Sequence, residues 1–394
     1  MSRHDYIPQV PYGTKDILPL DAARKRDVEN DLARLFLAWG YQEVITPTFE
    51  YYETLRASAP EAADDSSFRF FDRSGRMLAL RPDMTTPIAR VAVMRLKESP
   101  LPLRLFYLAN VFRQEEAQAG RQCEFYQAGV ELLGAGGIAA DAEVVALAVE
   151  SLLAAGLVDF QVCLGQVDFI SGIMAEAELD AVLGHKVKRA LVERNMVGLG
   201  ELLAECRVEP GNRDLLQQLP MLRGKLDMLQ SVRRRVKNET SQAALDNLAD
   251  IYQLLEKYGI DRHVMFDLGI IRDFDYYTGM VFETYTAGLG YPICGGGRYD
   301  RMAGFFGREQ PATGFALGIE RVLLALERQG LDTVRSARGV YVGWAEGKLP
   351  QAIAAVKRLR DEGETAELGL QEQSRATAER ESKLRGCERC LYID

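Results

Sequence analysis

Histidine is scarce: His4, His185 and His263 are the only three in 394 residues. A histidine-rich metal centre or a His-based triad therefore has little to draw on. No run reaches the roughly 18 apolar residues that a membrane helix needs. The opening stretch MSRHDYIPQVPYGTKD carries no apolar signal core. These absences exclude a membrane role and lead us to expect a cytoplasmic protein. The six cysteines (Cys123, Cys163, Cys206, Cys294, Cys387, Cys390) are scattered, as reduced thiols are in cytosolic chains. Cys387-Glu-Arg-Cys390 is a lone CxxC, where a structural zinc needs about four ligands. It leads into the apolar end CLYID instead of opening a helix, as a redox motif would. No metal and no cofactor is expected.

Net positive charge is also lacking. The formal net charge of −9 argues against broad nucleic-acid binding, without excluding a local basic face. The sharpest basic cluster, Arg233-Arg234-Arg235 with Lys237, lies in a polar helical stretch and reads as a solvated helix face. Gly295-Gly296-Gly297 lacks the Lys-Ser/Thr tail of a P-loop and the spacing of a dinucleotide fingerprint. A tight strand entry or a close backbone approach explains it better.

What is present is a long alternation of elements. Val28, Leu32, Leu35, Phe36 and Trp39 recur at helical spacing over 21–39, with Gly40 as the stop. YQEVITP reads as a strand that Pro47 ends. RMLALRPDMTTPIARVAVMRL gives a strand, a turn at Pro82 and a helix from Thr85 or Thr86. LRLFYLANVFR and CEFYQAGVELLG flank a polar loop as two strands, and DAEVVALAVESLLAAGL follows as a helix. Strands are read at FQVCLGQ, VMFDLG, MVFETYT and around GYPICGGGRYD, and GFALGIERVLLALERQG runs from strand or turn into helix. Helical spacing dominates from about 170 to 258, which predicts a helical insertion. The whole predicts an α+β fold with a largely antiparallel sheet over residues 1–330. A small α/β unit at 338–394 alternates strand and helix, so its strands are expected to pair in parallel.

Four segments are rich in polar and aromatic residues for core strands. LRPDMTTP offers Asp83 and Thr85. VFRQEEAQAGRQCEFYQAGVEL offers Arg113, Glu115, Arg121, Gln127 and Glu131. IRDFDYYTGMVFE offers Arg272, Asp275, Tyr276 and Tyr277. GGGRYD with GIER offers Arg298, Glu320 and Arg321. On a strand, Gln127, Gly129 and Glu131 share one face. Inward polar groups need partners, and internal ion pairs would satisfy them. As a set, however, carboxylates, arginines and tyrosine hydroxyls suit a zwitterionic amino acid. Acid, threonine and glutamine hold an ammonium, and an arginine grips a carboxylate with two hydrogen bonds. A tyrosine hydroxyl and a glutamate take the two ring nitrogens of an imidazole.

In this order the segments resemble histidyl-tRNA synthetase, a class II aminoacyl-tRNA synthetase. GYQEVITPTFE resembles motif 1, FRQE with GRQCEF motif 2, and GFALGIERV motif 3. RDFDYYTGMVFE and GGGRYD resemble the two histidine-specific signatures, and LRPDMT the amino-acid strand. The resemblance implies a class II antiparallel sheet, a dimer through motif 1 and a pocket for L-histidine. It places Asp83, Thr85 and Gln127 at the ammonium, Glu131 and Tyr277 at the imidazole with Tyr276 beside them, and Arg272 at the carboxylate. Arg113 lines the histidine site and, with Arg321, faces phosphates in a true synthetase. Glu115, Arg121 and Arg321 then mark a vestigial nucleotide site.

The sequence also departs from that family. Glu116-Ala117 stands where the synthetases have Arg-Pro, Cys123 where a further arginine is usual, and Asp83 where glutamate is usual. An anion beside a nucleotide opposes its binding. The final α/β unit stops at its third strand, where an anticodon-binding domain continues. These departures resemble the synthetase-like regulatory subunits of ATP phosphoribosyltransferase. That likeness implies no catalysis of its own and no functional tRNA binding. It also implies a short-form catalytic subunit as partner in a hetero-octamer, a role in the first step of histidine biosynthesis, and feedback by histidine. An active synthetase with a shortened anticodon domain and a stand-alone histidine-binding regulator are the alternatives.

Overall fold

The computed structural model describes residues 9–58, 67–114, 122–179, 181–192, 195–204, 208–270, 276–331 and 339–394. The chain forms two compact units, 1–18 with 25–332, and 19–24 with 333–394.

Helix α1 (Pro19–Ala38) has proline in its first turn, where the missing N–H costs nothing. Gly40, at φ +80°, follows its end. Val28, Leu32 and Phe36 on one face are buried. Strand β1 (Gln42–Glu43) is shorter than the alternation of YQEVITP predicts. A small antiparallel sheet comes next, of β2 (Phe49–Tyr51), β3 (Arg69–Phe71) and β4 (Met77–Leu80), with helix α2 (Tyr52–Ser58) between its first two strands. The strap 81–84 leads into helix α3 (Thr85–Met94).

Strands β5 (Leu103–Phe112) and β6 (Glu124–Leu133) pair antiparallel over their full lengths. Helix α4 (Ile138–Ala154) and strand β7 (Gln161–Gln166) follow. Residues 167–257 are then mostly helical: α5 (Val167–Glu176), α6 (Ala181–Val192), α7 (Met196–Ala204), α8 (Pro210–Gln218), the two-residue strand β8 (Arg223–Gly224), α9 (Leu226–Arg235) and α10 (Glu239–Lys257). The side chain of Asn238 caps α10 by accepting from the Ser241 N–H at 2.7 Å. Strands β9 (Val264–Asp267), β10 (Met280–Tyr285), β11 (Cys294–Arg298) and β12 (Ala312–Gly318) then complete the sheet, and helix α11 (Ile319–Arg328) leaves it.

The nine-stranded sheet has the order β1-β5-β6-β12-β11-β10-β7-β9-β8. It is antiparallel except at β1/β5 and β7/β9, which pair in parallel. Its sides separate cleanly because side chains alternate along each strand. Phe106, Val130, Phe315, Phe282 and Phe266 point into the main core with residues of α1, α4 and α10. The alternate positions, among them Tyr107, Gly129 and Glu131, lie on the other face. No helix among the described residues is long and apolar enough to cross a membrane.

The smaller unit contains β13 (Val340–Trp344), α12 (Leu349–Asp361), β14 (Ala366–Leu368), α13 (Arg375–Leu384) and β15 (Arg389–Ile393). Its sheet has the order β14-β13-β15, with both pairings parallel, as the alternation of strand and helix requires. Val340, Val342, Val356 and Leu359 form its core.

A candidate ligand-binding pocket

Glu131 lies across the sheet from Gly314, Gly129 from Ala316 and Tyr107, and Gln127 from Gly318. Small residues on β12 thus leave the space that side chains would fill. A Cβ at Gly314 would collide with the Glu131 carboxyl, and one at Gly129 with the Tyr107 hydroxyl. At Gly296 a Cβ would strike the Gly314 carbonyl. The glycine triplet therefore serves a close backbone approach, with no phosphate loop. Above this floor is a cavity of about 140 Å³. A single water needs about 10–15 Å³ on that scale, so the space suits a small metabolite.

The cavity is lined by Asp83, Thr85, Arg113, Gln127, Glu131, Tyr276, Tyr277 and Arg321. Eight of the residues selected from the sequence are therefore brought together. Arg272, Glu115 and Arg121, with Asp275 and Glu116, lie outside the described residues.

Glu131 is 1% exposed. The Thr85 hydroxyl donates to its Oε1 at 3.0 Å, and the Tyr299 hydroxyl donates to its Oε2. Burial pushes its pKa up to about 8; the two hydroxyls oppose the shift and the nearby Asp83 adds to it. Desolvation thus favours the neutral form of this acid. Asp83, also buried, is raised by desolvation and held back by Arg113 and by the N–H groups of Thr86 and Thr85. Its Oδ1 accepts from the Thr86 N–H at 3.2 Å, so the carboxyl sits over the first turn of α3. Gln127 Oε1 is buried and accepts no hydrogen bond among the described residues. An unmet buried acceptor is costly, and a ligand donor such as an ammonium would satisfy it.

Arg113 Nε donates to the Pro82 carbonyl at 2.9 Å, and its guanidinium lies 5.4 Å from the Phe125 ring. Arg321 donates to the Pro292 carbonyl at 2.7 Å and lies over Tyr291 at 4.9 Å. Both therefore keep a fixed direction. Tyr276 and Tyr277 pack together at 4.7 Å, and Tyr276 meets Tyr299 edge-on at 6.1 Å.

Two candidates serve the scaffold instead. Arg298 forms a buried two-pronged pair with Asp141, at 3.1 and 2.8 Å, and a further bond to Asp300 at 3.0 Å. Glu320 accepts from the Tyr126 backbone N–H at 3.0 Å, fixing strand β6 from behind. Three members of the basic cluster are paired on the surface: Arg233 with Asp246, Arg235 with Asp214 and Lys237 with Glu209. Tyr107 and Tyr299 are pocket residues that sequence reasoning missed, because buried aromatics on strands read as core. Gly129, opposite Tyr107, was the available signal for that residue. Cys123 lies outside the pocket lining and is buried, and its side chain occupies the space a Cβ on Gly13 would need.

Comparisons with known proteins show the family and the fold. The family model described as Histidyl-tRNA synthetase matches residues 13–322. A Moorella thermoacetica protein named ATP phosphoribosyltransferase regulatory subunit is 45% identical, over 96% of this chain and 96% of its own. One of the same name from Desulforamulus reducens is 42% identical, over 97% and 95% respectively. A crystal structure from Bacillus halodurans, titled an ATP phosphoribosyltransferase regulatory subunit/histidyl-tRNA synthetase, superposes with a TM-score of 0.88 at 32% identity and covers both chains fully.

Proposed function

The chain belongs to the histidyl-tRNA synthetase-like family of ATP phosphoribosyltransferase regulatory subunits, and we propose that it performs no catalysis of its own. Its role is to support a separate catalytic chain, in the cytoplasm, in phosphoribosyl transfer to ATP at the start of histidine biosynthesis. The pocket is retained for L-histidine as a feedback ligand. The observation that carries this reading is the buried Glu131 carboxyl, presented by Thr85 and Tyr299 at the end of a cavity that also holds the unmet Gln127 acceptor. Glu131 and Tyr277 read the imidazole, and Asp83, Thr85 and Gln127 hold the ammonium. Arg272 and Arg113 meet the carboxylate.

Loss of adenylate chemistry is supported at Cys123. A cationic side chain there would have to displace the contact with Gly13 before reaching the pocket, and no charge now enters from that position. Glu116 adds an anion to the same loop. Self-association as a dimer is supported by the apolar exposure of Ile45 and Phe71 around the motif 1-like strands, 85% and 66% exposed; assembly into a hetero-octamer is what the family resemblance implies. Histidine can regulate the complex only by binding its two states unequally. The catalytic subunit must then alter histidine affinity by the same factor. Functional tRNA binding is not expected. The surviving Arg113 and Arg321 at the cavity favour a second reading, residual adenylate formation.

Reconstitution tests the proposal. The catalytic chain is expected to gain phosphoribosyl transfer when this chain is added and to co-purify with it. A catalytic rate indifferent to this chain, with no complex formed, would refute it.

A further inference from the structure

The cavity wall made by Tyr276 and Tyr277 is fixed from outside the cavity. Both belong to the short stretch that leads into β10, and residues 277–279 lock onto 297–300. The Tyr277 ring lies against Gly297, where a Cβ would come within 3.0 Å of two ring carbons. The Thr278 N–H donates to the Arg298 carbonyl at 2.8 Å. The Thr278 hydroxyl oxygen accepts from the Asp300 N–H at 2.9 Å. Gly279 makes room for the Arg298 side chain, which a Cβ there would approach to 3.0 Å. Tyr276 joins the wall by packing on Tyr277 at 4.7 Å and edge-on to Tyr299 at 6.1 Å.

The far side of this lock is anchored in turn. Asp300 Oδ1 accepts from the Ala312 N–H at 2.9 Å and from Arg298 at 3.0 Å. Arg298 is held by Asp141 and by the Gly137 carbonyl at the start of α4, at 2.8 and 3.3 Å. A buried guanidinium with a two-pronged carboxylate partner keeps one direction. The Asp300 N–H therefore stands at a fixed place, and the group that accepts from it is fixed as well. Among the described residues, the cavity lining takes in Tyr276, Tyr277 and Tyr299 but not Thr278, Arg298 or Asp300.

We propose that Thr278 is a positioning residue: its hydroxyl, held by the Asp300 N–H, aims Tyr277 into the cavity and sets ligand affinity without touching the ligand. This rests on the reading that L-histidine is the ligand. A stretch of backbone pinned at one atom can still turn about that bond, and removing such freedom is costly. The N–H and the hydroxyl oxygen of Thr278 bond to points two residues apart, so the stretch is pinned twice and its turning is stopped. Tyr277, one residue earlier, takes its direction from both bonds. The wall is thus ordered before a ligand arrives, and binding does not have to supply that ordering. Threonine suits the task because its branched Cβ restricts χ1 and keeps the hydroxyl oxygen toward Asp300. Serine retains the acceptor, whereas valine keeps the shape and loses it.

Calorimetric affinities for L-histidine test this on the full chain, for Thr278→Val, Thr278→Ala and Thr278→Ser, each alone and combined with Tyr277→Phe. Melting curves on the same samples establish that each variant is folded. Thr278→Val and Thr278→Ala are expected to bind about three- to tenfold more weakly, the range that one net hydrogen bond spans. Thr278→Ser should stay within about twofold of the parent. In the Tyr277→Phe background the hydroxyl being aimed is gone, so Thr278→Val should cost less than about twofold there. Unchanged affinity in both Thr278→Val and Thr278→Ala would overturn the assignment, as would a serine variant as weak as the valine one. Equal losses with and without Tyr277→Phe would also overturn it, making Thr278 a stabiliser of the fold alone. A parent protein that binds no histidine would refute the ligand reading itself, and the assignment with it.

Discussion

Replacing Glu131 with glutamine removes a buried acid while keeping its shape, and its effect on folding can be worked out from the structure. The carboxyl titrates at about 8 in the fold against 4.5 for the unperturbed group. Folding therefore takes up a proton throughout that interval, and the unfolded chain binds fewer protons than the native one. Stability must fall as pH rises. The favourable contribution is complete below about 4.5, declines as pH rises, and stops changing above about 8. Across the whole interval the loss is roughly 5 kcal/mol, of which roughly 3 is reached at pH 7. Glutamine cannot ionise, so the variant lacks this slope. It carries a constant offset instead, because its amide nitrogen needs an acceptor where Thr85 and Tyr299 offer hydroxyls. Denaturant unfolding of both proteins without histidine, at half-unit steps from pH 5 to 9, measures the difference directly. The variant should gain several kcal/mol on the parent between the two ends. Parallel profiles would refute the assignment of a buried acid raised by desolvation.

Gly314→Ala should abolish histidine binding and cost about 1–3 kcal/mol of stability, since its Cβ would collide with the Glu131 carboxyl and the Val130 carbonyl. Calorimetry with a melting curve checks both, and retained affinity would contradict the geometry of the pocket floor. Arg81, 4% exposed, donates to the Asn110 and Thr46 carbonyls, each at 2.9 Å, and to Asn110 Oδ1 at 3.1 Å. Arg81→Met leaves these acceptors without their donor and should destabilise by about 2–4 kcal/mol. Denaturant unfolding reads this, and a change under about 0.5 kcal/mol would show the guanidinium to be dispensable.

The large sheet was legible because its strands obey a period of two over many residues. The face shared by Gln127, Gly129 and Glu131 follows from that period alone. The small sheet of β2, β3 and β4 was not, since three or four residues are too few to establish an alternation. The pocket was legible through charged and polar residues standing at core positions. Tyr107 and Tyr299 escaped because an aromatic strand residue has the same pattern whether it packs in a core or faces a ligand. Arg298 and Glu320 misled for the opposite reason: only tertiary structure supplies Asp141 and the Tyr126 N–H as their partners. Cys123 marked a lost charge in the sequence, but its burial against Gly13 shows in the fold alone.

The central claim is that a histidine pocket persists without the chemistry of amino-acid activation. Histidine-dependent ATP–pyrophosphate exchange, run on a sample whose histidine binding has been established by calorimetry, tests it most directly. The account predicts saturable binding of histidine and no exchange above the protein-free background. Sustained exchange that depends on both histidine and ATP would contradict it.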